Sequence, residues 1–309
     1  MTREKKNSDW DDLKFMLDRP QETEQDRIFL EEAPETPADD TAFQPVYVSD
    51  TTVAYGENDD QNLDLYLPAG KTAASLVVLI HGGAWVTGTK ETYLSEALRL
   101  QSLGYAVANI NYRYLGKGVL PSDELDDITA AMAAAKTLCA QKGVTLRSAA
   151  LMGVSSGGHL ALLYAYTKQS EAPVPVKTVI SSSAPTDLTD PAFLQGAAGE
   201  LAASVIGMSP QTLLALAQSP FGQLFMTPLA NISPAKKVTK STVPTLMAHG
   251  EKDTIVPYSN ALLLDTALTE NGVPHDFVSF PNSSHALLQD PDCTLRFRSL
   301  TNQYLARYL

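Results

Sequence analysis

The 309-residue chain has only two cysteines, Cys139 and Cys293, and neither stands in a C-x-x-C or Cys/His spacing. That excludes a disulfide framework and a zinc cluster as the source of stability. Basic residues are also in short supply: 23 Lys and Arg stand against 35 Asp and Glu, a net charge of −12. Such a surface repels nucleic acid and anionic lipid, so neither is expected as a partner. Long apolar runs are missing too. Nothing approaches the roughly 18 residues that a membrane helix needs, and stable membrane insertion is not expected. The opening "MTREKKNSDW" is charged and lacks the apolar centre of a signal peptide, which points to the cytoplasm unless a leader has been removed. No repeat or low-complexity tract occurs.

A hydrophobic content of 44% is enough for a sizeable core. Residues 1–43 are polar and charged, with "EEAPETPADD" reading as a linker, and the folded part is expected over 44–309. "QPVYVSD" (44–50) and "LDLYLPA" (63–69) alternate as half-buried antiparallel strands do. By contrast, 75–83, 105–113, 148–156, 176–184 and 243–251 are compact apolar runs of the kind that form strands buried on both faces. Helical patterns separate them over 93–104, 121–143, 158–169 and 258–272. In the second of these, Asp123, Glu124, Asp126 and Asp127 read as an exposed acidic helix start. Strands alternating with helices predict an α/β fold: a mainly parallel eight-stranded sheet covered on both faces. The segment of about 188–236, with Pro210 and Pro220 inside it, breaks the alternation and reads as an inserted helical cap.

The chemistry concentrates in "LMGVSSGGHLALLYAY" (151–166), where a strand, a turn and a helix meet. Gly153-Val154-Ser155-Ser156-Gly157 fits G-x-S-x-G, which makes Ser155 the serine held in a tight strand-to-helix turn. The backbone N–H of Ser156 would then face a developing oxyanion. "LIHGGAW" (79–85) ends an earlier buried strand, so the amides of Gly82, Gly83 and Ala84 can supply the other half of an oxyanion hole.

A serine hydroxyl needs a base, and the base an orienting acid. Of the five histidines, His285 in "FPNSSHALL" lies in a loop beyond the last strand; His81, His159, His249 and His275 read as packing or hydrogen-bonding residues. Asp253 in "AHGEKDTIVP" follows another strand, while its neighbour Glu251 reads as a solvated or capping group and Asp187 as a turn or cap-anchoring residue. The order Ser155, Asp253, His285 is nucleophile, acid, base.

Together "LDLYLP", "HGGAW", "NYRY", "GVSSGGHLA", "HGEKDTIVP" and "NSSHAL" resemble the α/β-hydrolase superfamily. The likeness is to the hormone-sensitive-lipase-like carboxylesterases and the bacterial branch of feruloyl and acetyl-xylan esterases. Ala84 and Trp85 stand where the hormone-sensitive-lipase family usually continues with a third glycine, and Val154 and Ser156 where it often has an acid and an alanine. Both changes keep the backbone chemistry. The resemblance implies a serine carboxylesterase that acts on a small-molecule ester through an acyl-enzyme, with no cofactor and no metal. An arylformamidase, a peptidase and a non-catalytic binding protein are the competing readings. Trp85, Phe193, Phe221 and Phe225, with Leu194, Leu224 and Met226, are candidates for the substrate pocket, or alternatively for plain core.

Overall fold

The computed structural model describes residues 52–309 except 117, 197, 198, 200–210, 213, 214, 216–218, 220 and 221. The polar segment 1–43, the strand expected at 44–50, Pro210 and Pro220 therefore lie outside the described residues.

Eight strands form one sheet: β1 (Val53–Ala54), β2 (Asn62–Tyr66), β3 (Ala73–Ile80), β4 (Ala106–Ile110), β5 (Thr145–Val154), β6 (Val176–Ser182), β7 (Thr245–Gly250) and β8 (His275–Phe280). Their spatial order is β1-β2-β4-β3-β5-β6-β7-β8. β1 and β2 run antiparallel to their neighbours, and every pair from β4–β3 to β7–β8 is parallel. The helices are α1 (Leu94–Ser102), α2 (Pro121–Gln141), α3 (Ser156–Thr167), α4 (Pro191–Gln195), α5 (Gly222–Asn231), α6 (Tyr258–Glu270) and α7 (Pro291–Tyr308). Short 3₁₀ turns at Lys90–Tyr93 and Pro234–Lys237 precede α1 and follow α5.

The continuous apolar runs make sense in this setting, because strands between two helical layers have no wet face. Along β3, Leu76, Val78 and Ile80 enter one core with side chains of α2, α3 and α6, while Val77 and Leu79 enter another with Ala97 and Leu100 of α1 and Tyr304 and Leu305 of α7. The two-residue alternation thus feeds two cores from one strand. α2 ends where Gly143 takes φ +75°, a left-handed geometry that suits glycine, and Val144 N–H closes on the Cys139 carbonyl at 2.8 Å.

Two acids expected on the surface of α2 are instead buried. Asp127 accepts Arg113 Nη2 at 2.7 Å, Arg113 Nε at 3.0 Å, the Arg113 backbone N–H at 2.9 Å and Gln61 Nε2 at 2.7 Å. It pins the chain entering β2 and the chain leaving β4 to α2. Glu124 also turns inward, and burial, with the charges of Asp127 and Asp123 acting the same way, pushes its carboxyl far up. Both its oxygens are buried without a hydrogen-bond partner, an environment that favours the protonated form. The helical periodicity of α2 faces the sheet on these positions, which the local run of acids conceals.

Between β6 and β7 the described residues include α4, α5 and the second 3₁₀ turn, all within the segment read as an inserted cap. Its return is tied to the strand it left: Ala235 N–H donates to Thr186 O at 2.9 Å, and Leu188 N–H to Ser233 Oγ at 2.9 Å. Asp187 holds the turn through Thr189 N–H at 2.9 Å and pairs with Lys236 at 2.9 Å, so it does anchor this insertion. Replacing Asp127 by alanine would leave the Arg113 guanidinium without its partner, and a loss of about 3 kcal/mol is expected in urea unfolding at neutral pH. An unchanged midpoint would mean that the cluster is dispensable.

Candidate active site

Everything at this site depends on one junction. β5 ends at Val154, α3 begins at Ser156, and Ser155 between them adopts φ +54° and ψ −124°. A side chain is strained there, and the turn closes only because Gly153 and Gly157, two residues to either side, have none. A β-carbon on Gly153 would collide with the Gly157 carbonyl, and one on Gly157 with the carbonyls of Ile80 and His81. This explains the G-x-S-x-G spacing in steric terms. Ser155 N–H is held by Ser182 O at 2.9 Å, and the Ser155 carbonyl accepts from His159 N–H at 2.9 Å.

His285 lies in the loop between β8 and α7. Asp290 organises that loop by accepting Asn282 N–H at 2.9 Å and Ser283 Oγ–H at 2.6 Å, and Ser183 Oγ–H donates to the His285 carbonyl at 2.8 Å. The imidazole is thereby fixed over the sheet edge. Its Nε2 stands 2.9 Å from Ser155 Oγ and its Nδ1 2.7 Å from Asp253 Oδ2. A carboxylate can only accept, so Nδ1 carries the proton and Nε2 presents its lone pair to the serine hydroxyl. Asp253 is buried in the loop after β7, where its Oδ1 accepts the N–H groups of Ile255 and Val256, both at 2.9 Å. Burial alone would push this carboxyl up. The charges and hydrogen bonds of His285 and His249 outweigh it and hold Asp253 well below the usual carboxylate range.

The loop after β3 runs past the same serine. A β-carbon on Gly82 would stand 3.0 Å from the Val154 carbonyl and 3.2 Å from Ser155 Cβ. Gly83, Ala84 and Trp85 follow with φ of +128°, +55° and +63°. Three consecutive left-handed residues turn this backbone sharply, and the Gly83 carbonyl is held by Val86 N–H at 3.1 Å and Thr87 N–H at 3.0 Å. His81 braces the loop from below: its Nδ1–H donates to Gly82 O at 2.6 Å, its ring stacks on Tyr112 at 4.5 Å, and its carbonyl accepts Tyr112 Oη–H at 2.9 Å. The Ser156 N–H opens α3 and has no intrahelical acceptor. The structure therefore brings Ser155, Asp253, His285 and Gly82 together, with Ser156 following Ser155 and with Gly83 and Ala84 next after Gly82 in its loop.

The pocket candidates fare differently. Trp85 is buried rather than open to a cleft, and its Nε1–H donates to His159 Nδ1 at 3.0 Å. Phe193 is fully buried and packs in the main core, as does Leu194. Of the two readings offered for these residues, burial in the core cluster fits plain core. Phe221 lies outside the described residues, and of Phe225 only its place in α5 is described.

Two of the histidines read as packing or hydrogen-bonding residues make bonds whose partners the sequence does not disclose. His159, one turn into α3, accepts from Trp85 and through Nε2–H donates to Ile232 O at 2.7 Å. It links the loop after β3, the helix behind the serine, and the residue that follows α5. The one available signal is its spacing of four residues from Ser155. His249 reaches Asp253 Oδ2 at 3.1 Å. Glu251, the competing acid, is exposed and accepts from Ser279 Oγ at 2.6 Å, away from His285. Among the described residues, no group of three or more His, Cys, Asp or Glu is arranged to hold a metal ion, and no helix is long and apolar enough to cross a membrane.

This sheet order, with a strained serine after β5, an acid after β7 and a histidine after β8, is the α/β-hydrolase fold. The family model described as BD-FAE matches residues 63–268, and the chain belongs to that family. Among curated relatives, the chain is 27% identical over 249 residues to a probable isoprenylcysteine alpha-carbonyl methylesterase, ICMEL1, of Oryza sativa subsp. japonica, covering 78% of this chain and 58% of the relative. It is 25% identical over 260 residues to the probable carboxylic ester hydrolase LipM of Mycobacterium tuberculosis, covering 78% of this chain and 56% of the relative. The chain thus spans a little over half the length of these proteins. Among solved structures, a truncated carbohydrate esterase from gut microbiota superposes with a TM-score of 0.67 at 24% identity, covering 82% of this chain and 94% of the other.

Burial pushes both His81 and His159 down from 6.5 to about 4, opposed only in part by their hydrogen bonds to Gly82 O and Ile232 O. Both rings are neutral in the native protein at neutral pH, whereas in the unfolded chain each gains a proton near 6.5. Between those values the unfolded state binds more protons, so stability must fall as pH falls. Urea unfolding is expected to give a constant stability above pH 7 and a decline from 6.5 towards 4, of about 3 kcal/mol per histidine. A flat profile over that window would show that these rings titrate freely in the native fold.

Proposed function

We propose that the protein is a serine carboxylesterase, hydrolysing short-chain or aryl and carbohydrate carboxylic esters through an acyl-enzyme. The observation that carries this reading is the unbroken hydrogen-bonded chain from Ser155 Oγ through His285 to Asp253, at 2.9 and 2.7 Å. It is supported by membership of the BD-FAE family and by relatives whose names are those of ester hydrolases.

In this mechanism His285 Nε2 takes the Ser155 proton as Oγ attacks the ester carbonyl carbon. The carbonyl π electrons move to oxygen, and the resulting oxyanion is met by N–H groups of Ser156 and of the Gly82–Ala84 loop. Collapse of the tetrahedral intermediate breaks the C–O bond to the leaving alcohol, which receives the proton from His285. Water then repeats the sequence: His285 takes its proton, hydroxide oxygen adds to the acyl carbon, and Ser155 leaves with the proton returned. Asp253 holds the imidazole tautomer and stabilises the imidazolium formed in each half-reaction. A protein of this fold that only binds has no use for so complete a relay.

Hydrolysis of p-nitrophenyl acetate, butyrate and decanoate by the wild type and by Ser155→Ala tests the reading. Turnover of the short esters is expected, falling by ~10⁴-fold or more in the variant. Equal rates for the two proteins would remove Ser155 from the chemistry.

A further inference from the structure

Asp253 does more than face one histidine. Its side chain is wholly shielded from solvent and accepts three hydrogen bonds, from the Ile255 and Val256 amides on Oδ1 and from His285 on Oδ2, while a second imidazole stands 3.1 Å from Oδ2. The second imidazole belongs to His249, at the C-terminal end of β7 and itself buried. Its Nε2 lies 3.1 Å from Asp253 Oδ2 and 2.9 Å from the Val256 carbonyl. Both neighbours are acceptors, so this nitrogen must be an N–H, shared between them.

We propose that His249 is a positioning residue for the Ser155 site, a second imidazole donor that fixes the carboxylate plane of Asp253 and divides its charge between two N–H groups. The inference rests on the esterase reading above. Sharing Oδ2 has a chemical consequence. A carboxylate oxygen that also accepts from His249 is a weaker partner for His285 Nδ1–H, which keeps the imidazolium of His285 from becoming too stable to return its proton to the leaving alcohol. It also keeps Asp253 ionised in an enclosure where burial favours the neutral acid. Within the fold the arrangement is rigid. His249 pairs with Ser279 across the β7–β8 ladder, and Tyr258 of α6 lies edge-on to its ring with centroids 6.1 Å apart. The titratable groups facing His249 are thus Asp253 and Tyr258, and those facing the Asp253 carboxylate are His249 and His285. In the sequence His249 opens the stretch "HGEKDTIVP" that supplies Asp253, but its spacing alone assigns it no part in the relay.

The test compares wild type, His249→Phe, which keeps an aromatic ring but has no donor, and His249→Gln, which keeps a side-chain N–H, using p-nitrophenyl acetate across the pH range. In His249→Phe the acid limb of kcat/KM is expected to move up by about half to one pH unit as His285 holds its proton more tightly. kcat should fall roughly tenfold with KM within about twofold. The downfield ¹H resonance of the His285 Nδ1 proton should shift in the same variant, and His249→Gln should recover most of each change. Should His249→Phe not fold, His249→Asn, too short to reach Oδ2, takes its place with the same expected shifts. A folded variant whose acid limb and Nδ1 resonance match the wild type would overturn the proposal, and so would a His249→Gln profile identical to that of His249→Phe. These outcomes are separable from failure of the esterase reading, which would show as equal turnover by wild type and Ser155→Ala.

Discussion

The left-handed turn at Ser155 is the constraint on which the rest of the structure depends. A non-glycine residue at φ +54° is held there by packing around it, not by its own preference. The Gly157 backbone lies against the carbonyls of Ile80 and His81, so the end of β3 is fixed to the start of α3 with no side chain between. Gly82 then passes beside the Ser155 side chain, which is how the loop after β3 comes to present its amides to the same point. One backbone contact sets both the nucleophile and the group that would stabilise its oxyanion.

Electrostatics around this turn follow from burial. His81 and His159 are kept neutral: His81 braces Gly82 through Nδ1–H, and His159 accepts from Trp85 and donates to Ile232. Asp253 is the opposite case, a buried group kept charged by three hydrogen-bond donors and the nearby His249 imidazole. The same low dielectric that neutralises an isolated imidazole makes a well-surrounded carboxylate strong in its orienting effect. Glu124, a buried acid without such donors, has its carboxyl pushed the other way, well up.

Much of this was legible in the sequence, because the signals were local. The apolar runs of β3 to β7 lack any wet face, and the glycines around Ser155 answer a steric need of that one turn. Asp253 and His285 could be chosen because each follows a strand at the edge where the serine lies. What the sequence concealed depends on neighbours distant in the chain. Trp85 and Phe193 read equally as pocket or core aromatics in a string of letters, and only the fold shows that His159, 74 residues away, takes the indole N–H of the first and that the main core encloses the second. Glu124 and Asp127 sit in an acidic run but face inward, since Arg113 and Gln61 arrive from other strands to meet Asp127. His249 was legible as a packing or hydrogen-bonding residue at a strand end, but its partner was not, because Asp253 lies in the loop beyond that strand.

The central claim is that Ser155 Oγ becomes acylated. Incubating the protein with a fluorophosphonate ester, which phosphonylates an activated serine with loss of fluoride, and mapping the adduct by peptide mass spectrometry tests it most directly. The account predicts a single stoichiometric adduct on Ser155, abolished in Asp253→Asn and His285→Ala. A protein left unmodified, or modified at Ser156 or elsewhere with Ser155 untouched, would contradict it.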